Sequence, residues 1–311
     1  RDVFITNMAS SGDPEFVKRA KNHQFEGLTK ELEGEWQGPF VFIQAADTQY
    51  GMINDWEGRG DGNEWEEEIS LTKKAIHAAN TMEPRPKFFI VCGDLVHAWP
   101  GGKYREEQER DLKATFTALR SEVPLVCVCG NHDVGNSPTR ESIIKYRHSW
   151  GDDFFSFWVG GVKFLVINSS YYPSNYSDPS VVGELKTEHD DWLDAELEEA
   201  KNSDCKHLVV FQHIPWFLTS VDEDNEYFNI DRDVRKTMLA KFKEAGVRTI
   251  FCGHYHRNAG AFYDNMEHVI TSAIGCQLGK DKSGLRVVKV TEGAVAHQYY
   301  DMDSIPQKVD F

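Results

Sequence analysis

The sequence predicts an α/β domain, and three observations support this prediction. From Gly38 onwards, short apolar runs alternate with longer amphipathic stretches, which is the order of strands and helices in α/β proteins. Within the longer stretches, apolar residues recur at helical spacing. Hydrophobic residues make up 40% and charged residues 27% of the 311 residues, so we expect a folded domain with a core rather than a disordered chain.

Six short apolar runs are the predicted strands, and they cover residues 40–46, 88–92, 125–129, 164–168, 208–211 and 249–252. Two further patterns predict hairpins, because a two-residue turn that contains glycine separates two apolar runs. The hairpins cover residues 154–168, with Gly160 and Gly161 in the turn, and residues 285–300, with Glu292 and Gly293 in the turn. We therefore expect antiparallel strands at the sheet edges.

Three helices are predicted between the strands from their apolar faces. These faces consist of Leu112, Phe116 and Leu119 in the first, Leu193, Leu197 and Ala200 in the second, and Val234, Met238, Phe242 and Ala245 in the third. We expect the second helix to begin at the capping-box pattern from Thr187 to Asp190, and the third to end at Gly246. A weaker helical pattern lies around residues 14–22.

The chain divides into a predicted N-terminal arm of residues 1–38, one large domain of residues 39–301 and a C-terminal tail of residues 302–311. The formal net charge of −16 argues against a nucleic-acid partner, because phosphate backbones are bound mainly by clustered cations. No apolar run approaches the roughly 18 to 20 residues that span a bilayer, so we expect no membrane partner. Six cysteines are too few for a disulfide scaffold, which favours a cytoplasmic protein with reduced thiols.

Polar residues follow five of the predicted strands. In α/β sheets the carboxyl ends of the strands face one crevice, so loops that are distant in sequence can converge there. The five loops contain Asp47-Thr48-Gln49, Gly93-Asp94, Gly130-Asn131-His132-Asp133, Gln212-His213 and Gly253-His254-Tyr255-His256. We therefore expect these side chains to form one site.

The donors in these loops are Asp carboxylates, an Asn amide oxygen and His nitrogens, a set that suits Mn²⁺, Fe or Zn²⁺. About seven donors exceed what a single ion needs. Two ions roughly 3.5 to 4 Å apart form the usual clamp for attack on a phosphorus atom. The sequence thus predicts a two-metal site for phosphate-ester chemistry.

The order of these five blocks resembles the signature of the calcineurin-like metallophosphoesterases. That signature runs Asp-x-His, Gly-Asp, Gly-Asn-His-Asp/Glu, His and Gly-His-x-His, and the resemblance covers roughly residues 39–300. Each block alone is weak evidence, but five blocks in order, each after an apolar run, are specific. The resemblance implies an α/β fold with four layers, an αββα sandwich of two mixed β-sheets flanked by helices.

The resemblance also implies a site with two divalent ions, drawn from Mn, Fe, Zn and Mg, and a bridging hydroxide as the nucleophile. Residue by residue, it implies that Asp47 and His256 bind the first ion, that Asp94 bridges the two, and that Asn131, His213 and His254 bind the second. We predict three catalytic residues, His132, Asp133 and His97, and the resemblance implies that His132 faces the substrate as general acid or phosphate donor.

Two positions depart from the family pattern. Residue 49 is Gln where the family usually has a His ligand, and a neutral amide oxygen should hold the first ion more weakly. Residue 97 is His where many members have an Asp that orients the catalytic His. We hypothesise that His97 compensates, either as the missing nitrogen ligand or as a partner for His132.

The function predicted from this site is that of a phosphomonoesterase, with a serine/threonine protein phosphatase acting on a phosphoprotein as the version that the resemblance favours. A phosphodiesterase or nucleotide pyrophosphatase is the alternative within enzymes, since the same metal clamp cleaves those bonds. A catalytically silent protein that binds phosphoproteins is the alternative from another class, supported by Gln49 and His97. The sequence does not specify the oligomeric state.

The acidic stretch of residues 220–231 superficially resembles a calcium loop, but it lacks the Gly expected at position six of such a loop. We interpret it as a solvent-exposed loop, with a lid over the crevice as the alternative.

Overall fold

Two β-sheets packed face to face form the centre of the protein in a computed structural model that describes residues 16–172 and 183–311. The larger sheet has eight strands in the order β1-β2-β6-β7-β8-β9-β11-β10 and the smaller has five in the order β13-β12-β3-β4-β5. The strands are β1 Ala20–Lys21, β2 Gln24–Phe25, β3 Phe40–Ala45, β4 Phe89–Cys92, β5 Leu125–Val128, β6 Phe155–Val159, β7 Val162–Val166, β8 Leu208–Phe211, β9 Val247–Cys252, β10 Ala259–Tyr263, β11 Met266–Ile270, β12 Gly284–Val290 and β13 Val295–Asp301.

Both sheets are mixed. Strands β3, β4 and β5 are parallel neighbours, and β12 joins β3 in antiparallel register with Val288 opposite Phe42. In the larger sheet β7, β8 and β9 are parallel, while the hairpins β6–β7 and β10–β11 supply antiparallel pairs. The hairpin predicted around Gly160 and Gly161 is confirmed, and so is the one predicted around Glu292 and Gly293.

Helices cover the outer face of each sheet. The helices are α1 Lys30–Glu33, α2 Met52–Trp56, α3 Glu66–Thr81, α4 Arg105–Phe116, α5 Asn131–Val134, α6 Arg140–Trp150, α7 Gly183–Lys201 and α8 Arg232–Ala245, with a 3₁₀ turn at Ser169–Tyr171. Helices α3, α4 and α6 bury apolar faces on the smaller sheet, and α7 and α8 do so on the larger. The layers therefore run helix, sheet, sheet, helix, as the four-layer prediction requires.

Phenylalanine side chains fill the space between the two sheets. The Phe42 ring stacks on Phe88 with ring centroids 4.5 Å apart, and it meets the edges of Phe164, Phe211 and Phe251 across the interface. All of these residues are buried. Large flat side chains from both sheets thus lock the sandwich and fix how the strand ends face each other.

Three details of the predicted elements were wrong or missing. Residues 20–21, within the weak helical pattern around residues 14–22, form strand β1, and residues 14 and 15 lie outside the described residues. Helix α7 already contains Gly183, and Thr187 bonds back to the Gly183 carbonyl instead of capping a start. The sequence interpretation also missed hairpin β10–β11, whose turn is Asp264 and Asn265 rather than a glycine pair.

The segment predicted as an arm lies along the edge of the larger sheet. Strand β2 pairs with β6 through Gln24 and Ser156, and the Trp158 amide donates to the Leu28 carbonyl at 2.9 Å. At the other end, residues 307–309 pair with Glu83. The boundaries at residues 38 and 301 stay predictions. None of the helices in residues 16–172 and 183–311 is both long and apolar enough to cross a bilayer.

Candidate metal centre

The loops after β3, β4, β5, β8 and β9 meet at one edge of the sandwich. Because β3, β4 and β5 are parallel in one sheet and β8 and β9 are parallel in the other, their carboxyl ends lie together where the sheets face each other. The structure thereby brings together six side chains predicted from the sequence, all of them buried: Asp47, Asp94, Asn131, His213, His254 and His256.

The backbone of these loops is strained. Five residues other than glycine have left-handed φ angles: Asp47 (51°), Gln49 (38°), Asp94 (48°), His254 (70°) and His256 (50°). Such conformations cost about 1 to 3 kcal/mol each and persist where the surrounding structure enforces them. Their concentration in three loops marks this edge of the sheets as a site rather than a set of ordinary turns.

Glycines precede Asp94, Asn131 and His254 for two different reasons. Gly93 has a φ of 83°, a left-handed conformation that glycine adopts readily. Gly130 and Gly253 do not have left-handed backbone, and the reason for glycine is space. An added Cβ would lie 2.2 Å from the Asp94 amide nitrogen at Gly130 and 2.6 Å from an Asp47 carboxylate oxygen at Gly253.

Two groups of side chains could each hold a metal ion. One consists of Asp94, His213 and His254, and the other of Asp47, Asp94 and His256. Within each group the potential ligand atoms all lie within 4.8 Å of one another. Asp94 belongs to both groups, so a single carboxylate lies between two adjacent cation sites.

In the first of these groups, the potential metal-ligand atoms lie close to the His213 ring. His213 Nδ1 donates to the Cys92 carbonyl at 2.8 Å, which leaves Nε2 with its lone pair. That nitrogen lies 3.0 Å from Asn131 Oδ1 and 3.2 Å from Asp94 Oδ1. The Asn131 amide nitrogen donates to Asn136 at 2.8 Å, which turns its oxygen inward. Three electron-rich atoms that face each other in a buried site require a cation or a proton between them.

The charges at this group shift the pKa values strongly. Burial lowers the pKa of His213, but the adjacent Asp94 carboxylate outweighs burial and raises it to about 9. Burial raises the pKa of Asp94, but His213 and His132 outweigh burial and hold it well below its usual range. In the metal-free protein, protonated His213 therefore supplies the positive charge that the carboxylate lacks.

The second group has the same plan. His256 Nδ1 donates to the Cys276 carbonyl at 2.6 Å, and its Nε2 lies 3.2 Å from Asp47 Oδ1. The side-chain oxygen of Gln49, in the same loop as Asp47, is buried and has no hydrogen-bond partner among the residues that the structure describes. An orphaned buried acceptor in a loop that carries a ligand fits a cation, which would satisfy it.

His132 lies at the open side of the centre. Its amide donates to Asp94 Oδ1 at 2.8 Å and its ring Nδ1 donates to the His97 carbonyl at 2.6 Å, so Nε2 is the ring nitrogen that stays available. Trp99 stacks on the ring with centroids 3.9 Å apart. Burial lowers the pKa of His132, although Asp94 opposes the shift.

His97 contacts His132 through its backbone and not through its ring nitrogens. The ring Nε2 lies 3.1 Å from Asp55 Oδ2, and the two imidazole rings are stacked with centroids 5.2 Å apart. The ligand version of the His97 hypothesis finds no support in this arrangement, since His97 is in neither metal group.

Asp133 is buried beneath the His132 loop. Its carboxylate accepts from the Leu95 amide at 3.1 Å and from the Gly130 amide at 2.8 Å, and it lies 3.7 Å from the Arg105 guanidinium. These contacts tie the β4 and β5 loops together and occupy the Asp133 carboxylate with backbone amides and a guanidinium group. The catalytic role predicted for Asp133 therefore has no support in its contacts.

Sequence reasoning missed three residues at the site. Arg105 donates to the carbonyls of Ala98 and His132 at 2.8 Å each, Trp99 covers the His132 ring, and Tyr227 contacts both His254 and Asn131. Trp99 follows the β4 loop closely enough that its position could have suggested it. Arg105 and Tyr227 carry no sequence signal, because only folding brings them to the centre.

Comparisons with known proteins agree with this geometry. Residues 40–258 match the family model described as calcineurin-like phosphoesterase. The chain is 52% identical over 294 residues to a Bos taurus protein named serine/threonine-protein phosphatase CPPED1, covering 93% of this chain and 92% of the relative. The Homo sapiens protein of that name is 50% identical over 295 residues, with the same coverage.

Solved structures show the same fold at low sequence identity. A dimetal phosphatase from Danio rerio superposes with a TM-score of 0.60 at 14% identity, covering 86% of this chain and 97% of the other. A purple acid phosphatase from yellow lupin gives a TM-score of 0.61 at 11% identity, covering 88% of this chain and 53% of the other. With the family match, the half-identical relatives and the shared-carboxylate site in agreement, the chain belongs to the calcineurin-like phosphoesterase family.

Proposed function

We propose that this protein is a dinuclear-metal-dependent phosphomonoesterase that removes phosphate from serine and threonine residues of a phosphoprotein. The observation that carries the proposal is Asp94, whose carboxylate belongs to both candidate metal groups. The relatives at 52% and 50% identity are named serine/threonine-protein phosphatases, which supports a phosphoprotein as the substrate class. The site suits this reaction because paired cations clamp a phosphoryl group during displacement.

The residues of each group would hold one ion. Asp47, Gln49 and His256 would bind the first ion, Asn131, His213 and His254 the second, and Asp94 would contact both. When bound, the two ions supply positive charge beside the phosphoryl oxygens and lower the pKa of a water molecule. The mixed oxygen and nitrogen donors suit Mn²⁺, Fe or Zn²⁺, and we propose Mn²⁺ as the first ion to test.

His132 would handle the proton of the leaving group. Its Nδ1 proton is committed to the His97 carbonyl, so Nε2 is the atom available to donate to a serine or threonine oxygen. Arg105 and Asp133 would act as positioning residues, because they fix the backbone on both sides of His132. His97 would act in the same way, as the residue whose carbonyl sets the orientation of the His132 ring.

The test is phosphate release from a phosphoserine peptide by metal-stripped protein refilled with Mn²⁺, with Asp94→Asn as the variant. We expect activity to return with Mn²⁺ in the wild type and to stay at least about 10²-fold lower in the variant. Asp224→Asn is the matched control, since it makes the same chemical change at a fully exposed carboxylate.

A substrate panel separates the alternatives. Rapid hydrolysis of a phosphodiester or a nucleotide pyrophosphate with a weak response to phosphopeptides would contradict the monoesterase proposal. Binding of a phosphopeptide without turnover, across a broad set of metals, would favour a silent binding protein instead.

We further propose that the protein acts in the cytoplasm. All six cysteines are unpaired, and four of them, Cys92, Cys127, Cys129 and Cys252, lie fully inside the core. Burial raises the pKa of these thiols, so they stay protonated and inert in a reducing compartment. Fractionation of cells that express the protein, with a compartment marker beside it, would test this location.

A further inference from the structure

The 220–231 loop reaches the metal centre through one residue, Tyr227. Its backbone carbonyl lies 3.2 Å from His254 Nε2, and its hydroxyl lies 3.3 Å from the side-chain nitrogen of Asn131. The rings of Tyr227 and Phe228 also pack on the His254 ring, with centroids 5.1 and 5.4 Å apart. His254 belongs to the candidate metal group of Asp94, His213 and His254, and the Asn131 oxygen lies 3.0 Å from His213 Nε2 in that group.

Each contact selects which atom of a ligand faces the centre. A carbonyl can only accept, so His254 Nε2 must carry the proton and Nδ1 keeps the lone pair. Likewise, the Asn131 nitrogen donates to Tyr227 and Asn136, which leaves the Asn131 oxygen for the centre. His213 and His256 are oriented in the same way, by the carbonyl of Cys92 at the end of β4 and by the carbonyl of Cys276 in the segment between β11 and β12. For His254 the carbonyl comes from the 220–231 loop.

The 220–231 loop is built to hold Tyr227 still. The Glu223 carboxylate accepts from the amides of Leu218, Thr219 and Ser220 and from the Asn229 side chain. Buried Arg235, in helix α8, donates to the carbonyls of Val221, Glu223 and Ile230 at 2.9 to 3.1 Å. In the acidic stretch that superficially resembles a calcium loop, Glu223 thus stabilises the loop itself, because its carboxylate oxygens accept hydrogen bonds from backbone amides.

From these contacts we infer that Tyr227 is a positioning residue for the second metal ion, and that the 220–231 loop controls how tightly that ion alone is held. Outer partners of this kind typically change metal affinity by about 10- to 100-fold when they are removed. The first ion has no such dependence, since none of the contacts of Tyr227 reaches Asp47, Gln49 or His256. The inference rests on the dinuclear centre of the proposed function.

The experiment titrates metal-stripped protein with Mn²⁺ and follows bound metal by calorimetry and by electron paramagnetic resonance, which distinguishes a coupled ion pair from a single ion. Tyr227→Phe removes only the hydroxyl and Tyr227→Gly also loosens the backbone at the carbonyl. We expect the second binding step to weaken about tenfold in the first variant and about a hundredfold in the second, with the first step unchanged. Tyr263→Phe, far from the centre on β10, is the matched control.

A second pair of variants tests the loop and not the tyrosine. Glu223→Gln removes the charge that holds the backbone amides, and Asp224→Asn makes the equivalent change at an exposed neighbour. We expect only Glu223→Gln to weaken the second step.

Two results would overturn the inference and they are distinct. If the wild type binds two Mn²⁺ ions and both Tyr227 variants keep its second-step affinity, or lose both steps equally, the positioning role is wrong while the dinuclear centre stands. If the wild type binds fewer than two ions, the dinuclear centre itself is wrong and the inference falls with it.

Discussion

The middle of the strands and their carboxyl ends differ in polarity and in backbone strain, although they are a few residues apart. In the middle of β3, buried Phe42 packs between the sheets on four other phenylalanine rings. Five residues later, Asp47 has a left-handed backbone, and its Oδ1 lies 3.2 Å from His256 Nε2, another atom with a lone pair. Phe251 and His254 repeat this contrast on β9. On β8, His213 lies two residues after Phe211 and faces oxygen atoms of Asn131 and Asp94, but its backbone is not left-handed.

The difference shows how the two regions depend on each other. The loops have strained backbone and bring several electron-rich oxygen and nitrogen atoms close together, and both features cost free energy. The loops would therefore relax if the packing between the sheets did not hold the strand ends in place. The stacked phenylalanines provide that lock, because burial of large aromatic side chains contributes several kcal/mol without strain. We therefore expect substitutions in the middle to change stability and substitutions at the ends to change activity.

His132 is the position where we expect the largest difference between the effect on activity and the effect on stability. His132→Gln keeps a similar volume at the open side of the centre but removes the group that moves the proton. We expect turnover to fall by about 10²- to 10⁴-fold with the free energy of unfolding unchanged within about 1 kcal/mol. Steady-state kinetics and urea unfolding measure the two quantities, and a large loss of stability would break the comparison.

Phe42→Ala should give the reverse result. The ring is buried against Phe88, Phe164 and Phe211, so its removal leaves a cavity between the sheets. We expect a loss of about 3 to 5 kcal/mol in the free energy of unfolding, while turnover per folded molecule stays near the wild-type value. The check is urea unfolding, with activity normalised to the folded fraction. Phe262→Ala, at an exposed position of β10, is the control and should change neither.

Gln49→Ala tests the orphaned acceptor of the first metal group. We expect affinity for the first Mn²⁺ ion to fall by roughly tenfold, since one oxygen ligand is lost, and the second ion to bind as before. The metal-free protein should become slightly more stable, because a buried unsatisfied oxygen disappears. Calorimetric titration and thermal unfolding of the stripped protein give both numbers. Unchanged metal binding would show that Gln49 is not a ligand.

His268 offers a titration away from the metal centre. It is buried on β11, where it accepts from the Trp216 amide at 3.2 Å and stacks on Phe217. Burial lowers the pKa of His268 to about 3, with Glu223 and Arg235 as the charged groups that act on it. The unfolded chain binds a proton near pH 6.5 and the folded one does not, so stability is fully present above pH 6.5 and is lost as the pH falls towards 3.

We expect this loss to reach about 1.4 kcal/mol per pH unit, measured as the difference between wild type and His268→Gln in urea unfolding between pH 6.5 and 4.5. Glutamine can still accept from Trp216 but does not titrate. Parallel pH profiles for the two proteins would contradict the assignment of a neutral buried imidazole.

Much of the fold and of the candidate site could be predicted because a short run of neighbouring residues is enough to identify each strand. An apolar run that ends in Asp, Asn or His gives both a strand and the position of its ligand, and the β-strand runs ending at Asp47, Asp94 and Asn131 illustrate this. Glycine turns likewise specify two hairpins. The β10–β11 hairpin was missed because β10 is half-exposed and the turn lacks glycine.

Residue identity alone cannot assign roles that depend on where side chains point. Asp133 lies in a motif block and His97 lies three residues after one, yet the Asp133 carboxylate accepts from backbone amides and His97 offers its carbonyl to His132. Spacing along the chain cannot distinguish a side chain that faces the crevice from one that holds the loop beneath it, since adjacent residues in a tight turn point in different directions.

The sequence by itself determined the α/β class, the strands and the chemical types of the ligands, because hydrophobic period and side-chain chemistry are local properties. Only the tertiary structure decided which atom of each ligand faces the centre, that Asp94 is shared between two groups, and that Tyr227 from a distant loop holds two of the ligands. Those features depend on the packing of two sheets against each other, which sets distances that no run of neighbouring residues encodes.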